Sequence, residues 1–211
     1  MEKNVERAKE LLPAIIITVL SMIQALALEL FWNRIVDSEF LWAGGWNALI
    51  GWLQLLVVFT GILLIWIMYI SAALRFSWLP TLQDTLVPFF IGLLEFAMIS
   101  MTGPDLLGPW FVLLAATYGM STTAMHMNMY QARRDPANDY FFRDLEPASW
   151  RDYRVSIAAV CGLLLLGIVL WTSDNRDVLP VAALLLALTA LGQQFLQARR
   201  YWMHSIVAKS Q

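Results

Sequence analysis

Residues 40–74 read FLWAGGWNALIGWLQLLVVFTGILLIWIMYISAAL, a run of 35 positions without a charge. At about 1.5 Å of helical rise per residue, the run exceeds one crossing of a hydrocarbon core about 30 Å thick. It is too short for two crossings and a turn. Gly44-Gly45 supplies a break near its start, so the spacing predicts a loop followed by one long, tilted helix over residues 46–74.

Charge-poor runs recur on both sides of this segment. With it they predict six spans, at 11–32, 46–74, 85–104, 108–130, 155–173 and 178–198. The predicted fold class is therefore all-α: a single polytopic membrane domain over residues 1–211 with six transmembrane helices. The composition agrees, with 59% hydrophobic and 14% charged residues and a mean hydropathy of +0.62. A soluble domain carries about 45–50% apolar and about 25% charged residues. A solvated enzyme core, a disordered tail and a disulfide framework are excluded on these grounds. The near-balance of 14 basic and 16 acidic residues leaves no basic surface for nucleic acid.

Twelve of the 14 Lys and Arg residues fall on one side of the predicted spans. They are Lys3, Arg7 and Lys9 in the N-terminus, Arg75, the five Arg residues at 133, 134, 143, 151 and 154, and Arg199, Arg200 and Lys209. Only Arg34 and Arg176 fall on the other side. The positive-inside bias predicts cytoplasmic N- and C-termini. Trp32, Trp42, Trp46, Trp110 and Trp171 read as anchors at the outer interface, and Trp78, Trp150 and Trp202 at the inner one. The expected location is a cell membrane of the bacterial inner-membrane kind. Ala25-Leu26-Ala27 looks like a cleavage site, but Glu2, Glu6 and Glu10 spoil the positive n-region of a signal peptide, so span 1 is read as retained.

Helices in lipid associate through small and polar residues, because apolar side chains gain little by leaving lipid for one another. Span 1 aligns Ala14, Thr18, Ser21, Ala25 and Glu29 on one face. Span 2 aligns Asn47, Gly51, Gln54, Gly61 and Ala72. Span 3 sets Pro88, Gly92 and Thr102 with Glu95, and span 4 aligns Ala115, Gly119, Thr122, Thr123 and His126. These faces read either as packing surfaces, with Gly119 in a close helix contact, or as the lining of a hydrated path.

Glu95 is the sharpest single residue. A charged side chain at mid-bilayer costs about 2.5–3.5 kcal/mol on insertion scales, and such residues face protein or water. Its functional reading is a proton- or ion-responsive carboxyl. The structural alternative is a neutral acid hydrogen-bonded to a Ser, Thr or Gln of a neighbouring span. His126 is a second candidate, since imidazole titrates near neutrality, and Glu29 a third, within reach of water at the end of span 1.

No cofactor is expected. Met125, Met127 and Met129 around His126 suit Cu(I) chemically, but they radiate to different sides of a helix. A haem between His126 and His204 has no supporting motif. One Cys and two His cannot complete a soft-ligand zinc site. No span contains the Lys a retinal Schiff base requires, and no nucleophile stands beside a recognisable base. No enzymatic activity is expected.

The segment 131–154 balances five Arg against Asp135, Asp139, Asp144, Glu146 and Asp152, and carries Tyr140, Phe141, Phe142, Leu145, Trp150 and Tyr153. It reads either as a short amphipathic helix on the membrane surface or as a cytoplasmic loop with aromatic anchors. It is the candidate contact for a protein partner. No internal repeat marks two inverted halves of a transporter.

Leu41-Trp42 ahead of span 2, the long second span with Trp66, the Pro88-Phe89-Phe90 element of span 3 and the long loop after span 4 form a pattern over roughly residues 10–200. In that pattern the chain resembles the bacterial relatives of the lysosomal potassium channels, small six-span proteins with both termini inside. The resemblance implies a cation-passing oligomer. That family carries Arg followed by Phe-Ser-Asp in its first span. Here the span reads Ala14-Ile15-Ile16-Ile17-Thr18-Val19-Leu20-Ser21, so no site residue transfers. The expected function is passage or sensing of a monovalent cation or proton through a homo-oligomer in the lipid bilayer. The other class is a non-conducting effector, scaffold or assembly subunit acting through its helices and the 131–154 loop.

Overall fold

Gly44 and Gly45 take φ of 76° and 78°, a backbone region that side chains with a Cβ avoid, and the chain turns there into its central helix. The computed structural model describes residues 2–79, 81–143, 149, 153–173 and 178–207. The elements are α1 (Glu2–Asp37), α2 (Glu39–Trp42), α3 (Gly45–Arg75), α4 (Leu82–Ser100), α5 (Leu107–Arg133), α6 (Asp139–Phe142), α7 (Arg154–Thr172) and α8 (Val178–Val207). Single 3-10 turns at Pro104–Leu106 and Pro136–Asn138 precede α5 and α6. No strand occurs among the described residues.

Among the described residues, four helical segments are long and apolar enough to cross a membrane: Pro13–Asp37, Gly45–Arg75, Arg154–Thr172 and Val178–Leu196. The other two expected spans correspond to α4 and α5. In α4 the apolar stretch among the described residues is Leu86–Ser100, and Asp84 lies in the first turn of the helix. The 27 residues of α5 reach about 40 Å, but Thr117, Ser121, Thr122, Thr123, His126, Asn128 and Gln131 dilute its apolar character. The helix α1 starts well before residue 11 and runs through Pro13. The short α2 was not legible: it forms inside the expected loop, buries Leu41 and accepts the Trp52 indole N–H on Leu41 O at 3.0 Å.

The helix α3 packs against α1, α2 and α8, while α4 lies against α1 and α5, and α7 rests on α5. Leu20 with Ile91, Ile23 with Gly92 and Arg34 with Thr102 meet in ascending order, so α1 and α4 run parallel. Gly108 lies beside Trp171, Gly119 beside Val160 and His126 beside Tyr153, so α5 and α7 run antiparallel. Ile50, Val57, Ile99, Trp110, Phe111 and Leu184 are fully buried in the main core. Trp110, read as an interface anchor, is an interior residue whose indole N–H reaches Met98 O at 3.1 Å. Trp78 is buried as well, in a cluster with Phe76 and Phe142. Trp32, Trp42, Trp46 and Trp171 are exposed, as membrane anchors would be.

At the end of α3 and α5 the chain ties two connections together. The buried Asn138 accepts from Ser77 N at 3.0 Å and donates to Ser77 O at 2.6 Å and Ala132 O at 2.7 Å. Phe141 and Phe142 pack their rings on Phe76. Arg75 stands over Phe141, and Arg133 over Phe142. Phe141 and Phe142 of the 131–154 loop thus pack on the protein itself, while Tyr140 is exposed. Residues 144–148 and 150–152 lie outside the described residues, which leaves Leu145 and Trp150 undescribed.

Lys9 joins the same assembly through an ion pair of 2.5 Å with Asp135. Burial pushes the Asp135 carboxyl up, but its bonds to Lys9 and Ala137 N, the Lys9 charge and Ser77 outweigh that and hold it below the usual range. A carboxyl lowered by folding stabilises the fold above its unfolded value, about 3.9 for Asp, and loses that contribution as pH falls through the folded value. Lys9→Ala is therefore expected to lower the melting temperature in detergent at neutral pH, with the difference fading on acidification below about pH 4. A deficit that persists undiminished in strong acid would mean that Lys9 acts through something other than Asp135.

Candidate functional site

Glu95 lies in the middle of α4 and turns toward α1. Its nearest polar neighbour is Gln24, whose Nε2 donates to Glu95 Oε2 at 2.9 Å. The two residues are only 3% and 4% exposed. The approach is made possible by Gly92, one turn earlier on α4, against which the Ile23 side chain lies directly. On one side of the pair, Leu20, Ile65 and Ile91 form an apolar cluster; on the other lies the main core with Ala27, Met98 and Ile99. A hydrogen bond in such a setting is strengthened by the low dielectric, and an unpaired polar atom is correspondingly costly. Two atoms of the pair, Gln24 Oε1 and Glu95 Oε1, have no partner.

A second polar knot closes the far end of α1 and α4. The Arg34 guanidinium donates to Thr102 O and stands over the Phe40 ring at 5.9 Å. Gln54 of α3, fully buried, accepts from Gly103 N at 2.8 Å. The turn it holds requires glycine, since Gly103 has φ of 145°.

The polar face expected on span 4 lines a lateral cleft of about 400 Å³ between α5 and α7. Gly119, Thr122, Thr123 and His126 form the α5 wall, with Tyr153, Ser156 and Cys161 opposite. His126 Nδ1 hydrogen-bonds the Tyr153 hydroxyl. Thr122 and Thr123 spend their hydroxyls on Tyr118 O and Gly119 O of their own helix. Gly119 is not the close crossing of these helices, because its nearest neighbour, Val160 Cγ2, lies 3.6 Å from where a Cβ would stand.

The other candidates are scattered. Thr18, Ser21 and Glu29 are exposed on the outer face of α1 together with Ala14 and Ala25, and Asn47 is exposed in the first turn of α3. The sequence stripes of spans 1, 2 and 4 thus do not converge on Glu95 or on one another. Gln24 and Arg34, the polar residues of α1 that meet α4 and the turn after it, were missed because they lie off the small-residue stripe of span 1. The available signal was Gln24 itself, an amide in the middle of an otherwise uncharged run. Among the described residues no group of three His, Cys, Asp or Glu side chains is arranged to hold a metal. The His204 side chain lies outside the described residues. Met120 packs in the Leu20–Ile91 cluster and Met129 in the Phe76 cluster, so these two methionines belong to different parts of the fold.

These features define the class: an all-helical protein with four apolar helices of membrane-crossing length and a buried acid–amide pair between two parallel helices. No family model, no curated protein and no solved structure matches the chain.

Proposed function

We propose that the chain is a six-span protein of a cell membrane, of the bacterial inner-membrane kind, with both termini cytoplasmic. In this reading it is a non-conducting module that acts through helix–helix and loop contacts. Alternating crossings require the first and third spans to run the same way and the fourth and fifth to run oppositely. The parallel α1–α4 pair and the antiparallel α5–α7 pair agree with that requirement. The Lys9–Asp135 ion pair agrees with an N-terminus and a fourth connection on one side. The 19 residues of α4 extend about 28 Å, close to the thickness of a hydrocarbon core.

The observation that carries the functional reading is the burial of the polar side chains Glu95, Gln24 and Gln54 inside the chain. Glu95 is bonded to Gln24 in a buried contact and Gln54 is engaged by Gly103 N, so neither is offered to a passing ion. The small and polar face of α1, by contrast, is exposed along Ala14, Thr18, Ser21, Ala25 and Glu29. Such a face associates with other helices in lipid, with a second copy of this chain as the natural partner.

Purified protein reconstituted in liposomes is expected to pass neither potassium nor protons across neutral and acidic pH and across both polarities of voltage. Potassium or proton flux that disappears in Glu95→Gln would overturn the reading in favour of the cation-passing oligomer that the layout resemblance implies. Reporter fusions should place the connection after α5 in the cytoplasm and that between α7 and α8 outside.

A further inference from the structure

Gln24 and Glu95 meet through one hydrogen bond where their chemistry allows two. The amide N–H reaches Glu95 Oε2, while the two remaining oxygens, Gln24 Oε1 and Glu95 Oε1, are buried and unpartnered. An amide oxygen only accepts, and an ionised carboxyl has no hydrogen to give. One proton on Glu95 Oε1 satisfies both orphans at once. The acid then donates to Gln24 Oε1 while the amide donates to Glu95 Oε2, giving a reciprocal pair. The terminal torsions of Gln and Glu are broad, so the two planes can rotate to bring these oxygens into register. We propose that Gln24 and Glu95 form a proton-binding site in which a proton on Glu95 Oε1 closes α1 onto α4.

Among the described residues, the surroundings offer no other group to neutralise a carboxylate. On α1, Arg34 is committed to Thr102 O, and Lys9 to Asp135. On α3, the titratable side chain on this side is Tyr69, packed against the Leu20–Ile91 cluster. On α5, His126 faces α7 and bonds Tyr153. Asp84, on α4 itself, is occupied in the capping box with Thr81. Gln24 is the one polar side chain in contact with the Glu95 carboxyl among the described residues. Loss of the proton leaves a buried charge beside an amide oxygen, an arrangement that water or a cation can relieve only by entering between the helices. Proton binding and helix closure are therefore linked. The site shares the Gln24–Glu95 contact with the non-conducting reading above, but it is tested by the protonation of the carboxyl and not by ion flux.

The test is infrared difference spectroscopy on the full-length protein in nanodiscs at neutral pH, wild type minus Glu95→Gln. The expected result is a protonated-carboxyl C=O stretch, sensitive to H/D exchange, that Glu95→Gln lacks. Gln24→Leu should move that band to higher frequency by removing the acceptor and donor. Absence of the band in the wild type, or an unshifted band in Gln24→Leu, would overturn the site. Glu95→Gln re-forms a reciprocal amide–amide pair with no proton, so it supplies a folded control. Spin labels at the exposed Ser21 of α1 and Leu93 of α4, in a Cys161→Ser background, should separate as pH is raised in the wild type and stay at constant distance in Glu95→Gln. A wild-type distance that ignores pH would overturn the link to closure.

Discussion

Gly92→Ala is expected to destabilise the protein far beyond what adding a single methyl group suggests. A Cβ at this position would lie 2.2 Å from Ile23 Cγ2, well inside van der Waals contact. The obstructing methyl is not the far end of a flexible chain. It is attached to the β-carbon of a branched residue in a helix, where χ1 keeps one rotamer about 90% of the time. The strain therefore passes to the backbones, and α1 must move away from α4. Overpacking of this kind costs about 1–3 kcal/mol. The displacement also strains the 2.9 Å bond between Gln24 and Glu95, one residue and three residues away, and a buried polar group left unpaired costs about 1–3 kcal/mol more. Against this, Ala exceeds Gly in helix propensity by only about 1 kcal/mol.

The same geometry prescribes the rescue. Ile23 Cβ lies 3.7 Å from the added Cβ, an ordinary contact, so Ile23→Ala removes the clash and leaves the helices in place. The double variant should melt well above Gly92→Ala even though Ile23→Ala alone destabilises by loss of buried surface. The cycle should therefore show a favourable coupling of about 1–3 kcal/mol, the scale of residues in direct contact. Additive effects of the two substitutions in detergent melts would mean that Ile23 and Gly92 are not in contact.

What the sequence disclosed about this protein depended on how many physical explanations each signal admits. Gly44-Gly45 within an uncharged run admits one, a turn at the head of a long helix, and α3 starts at Gly45. A carboxyl in the middle of an apolar segment admits few, so Glu95 stood out, and a neighbouring Gln was among the partners considered for it. Which Gln could not be read. Gln24 and Gln54 are both amides in apolar helices, and only the packing of α1 on α4 decides between them. Trp78 and Trp110 were misread because an indole near a span end is equally at home at the lipid interface and in the core. Phe142 beside Trp78 and Met98 O beside the Trp110 indole, both brought there by tertiary contacts, made them interior residues. Small residues are the most ambiguous signal, because a glycine on a helix face permits close approach without requiring it.

Gly119, Gly108 and Gly167 make that ambiguity measurable. All three lie along the α5–α7 contact, yet they should respond to alanine in opposite senses. A Cβ on Gly108 would meet Trp171 Cβ at 2.8 Å, and Gly167 O and Trp171 Cα at 3.0 Å. Backbone atoms cannot rotate aside, and truncating Trp171 leaves its Cα and Cβ where they are, so no side-chain change rescues this site. A Cβ on Gly167 would stand 3.0 Å from Gly108 O, with Val112 Cγ2 at 3.2 Å and Phe111 Cβ at 3.3 Å, a tight but lesser conflict. Gly119→Ala gains an ordinary contact at 3.6 Å and about 1 kcal/mol of helix propensity. Gly167 is the one buried residue of α7 among those described, so the crossing with Gly108 is the tightest part of that helix's contact, alongside the partly buried Leu163, Leu166 and Leu170. Gly108→Ala is accordingly expected to lower the melting temperature most, Gly167→Ala less, and Gly119→Ala to leave it unchanged or raise it. Hydrogen exchange should localise the damage: amides of α7 lose protection in Gly108→Ala while those of α1 and α4 keep theirs, as expected when one element opens independently. Equal tolerance of alanine at Gly108 and Gly119 would mean that α5 and α7 do not cross at Gly108.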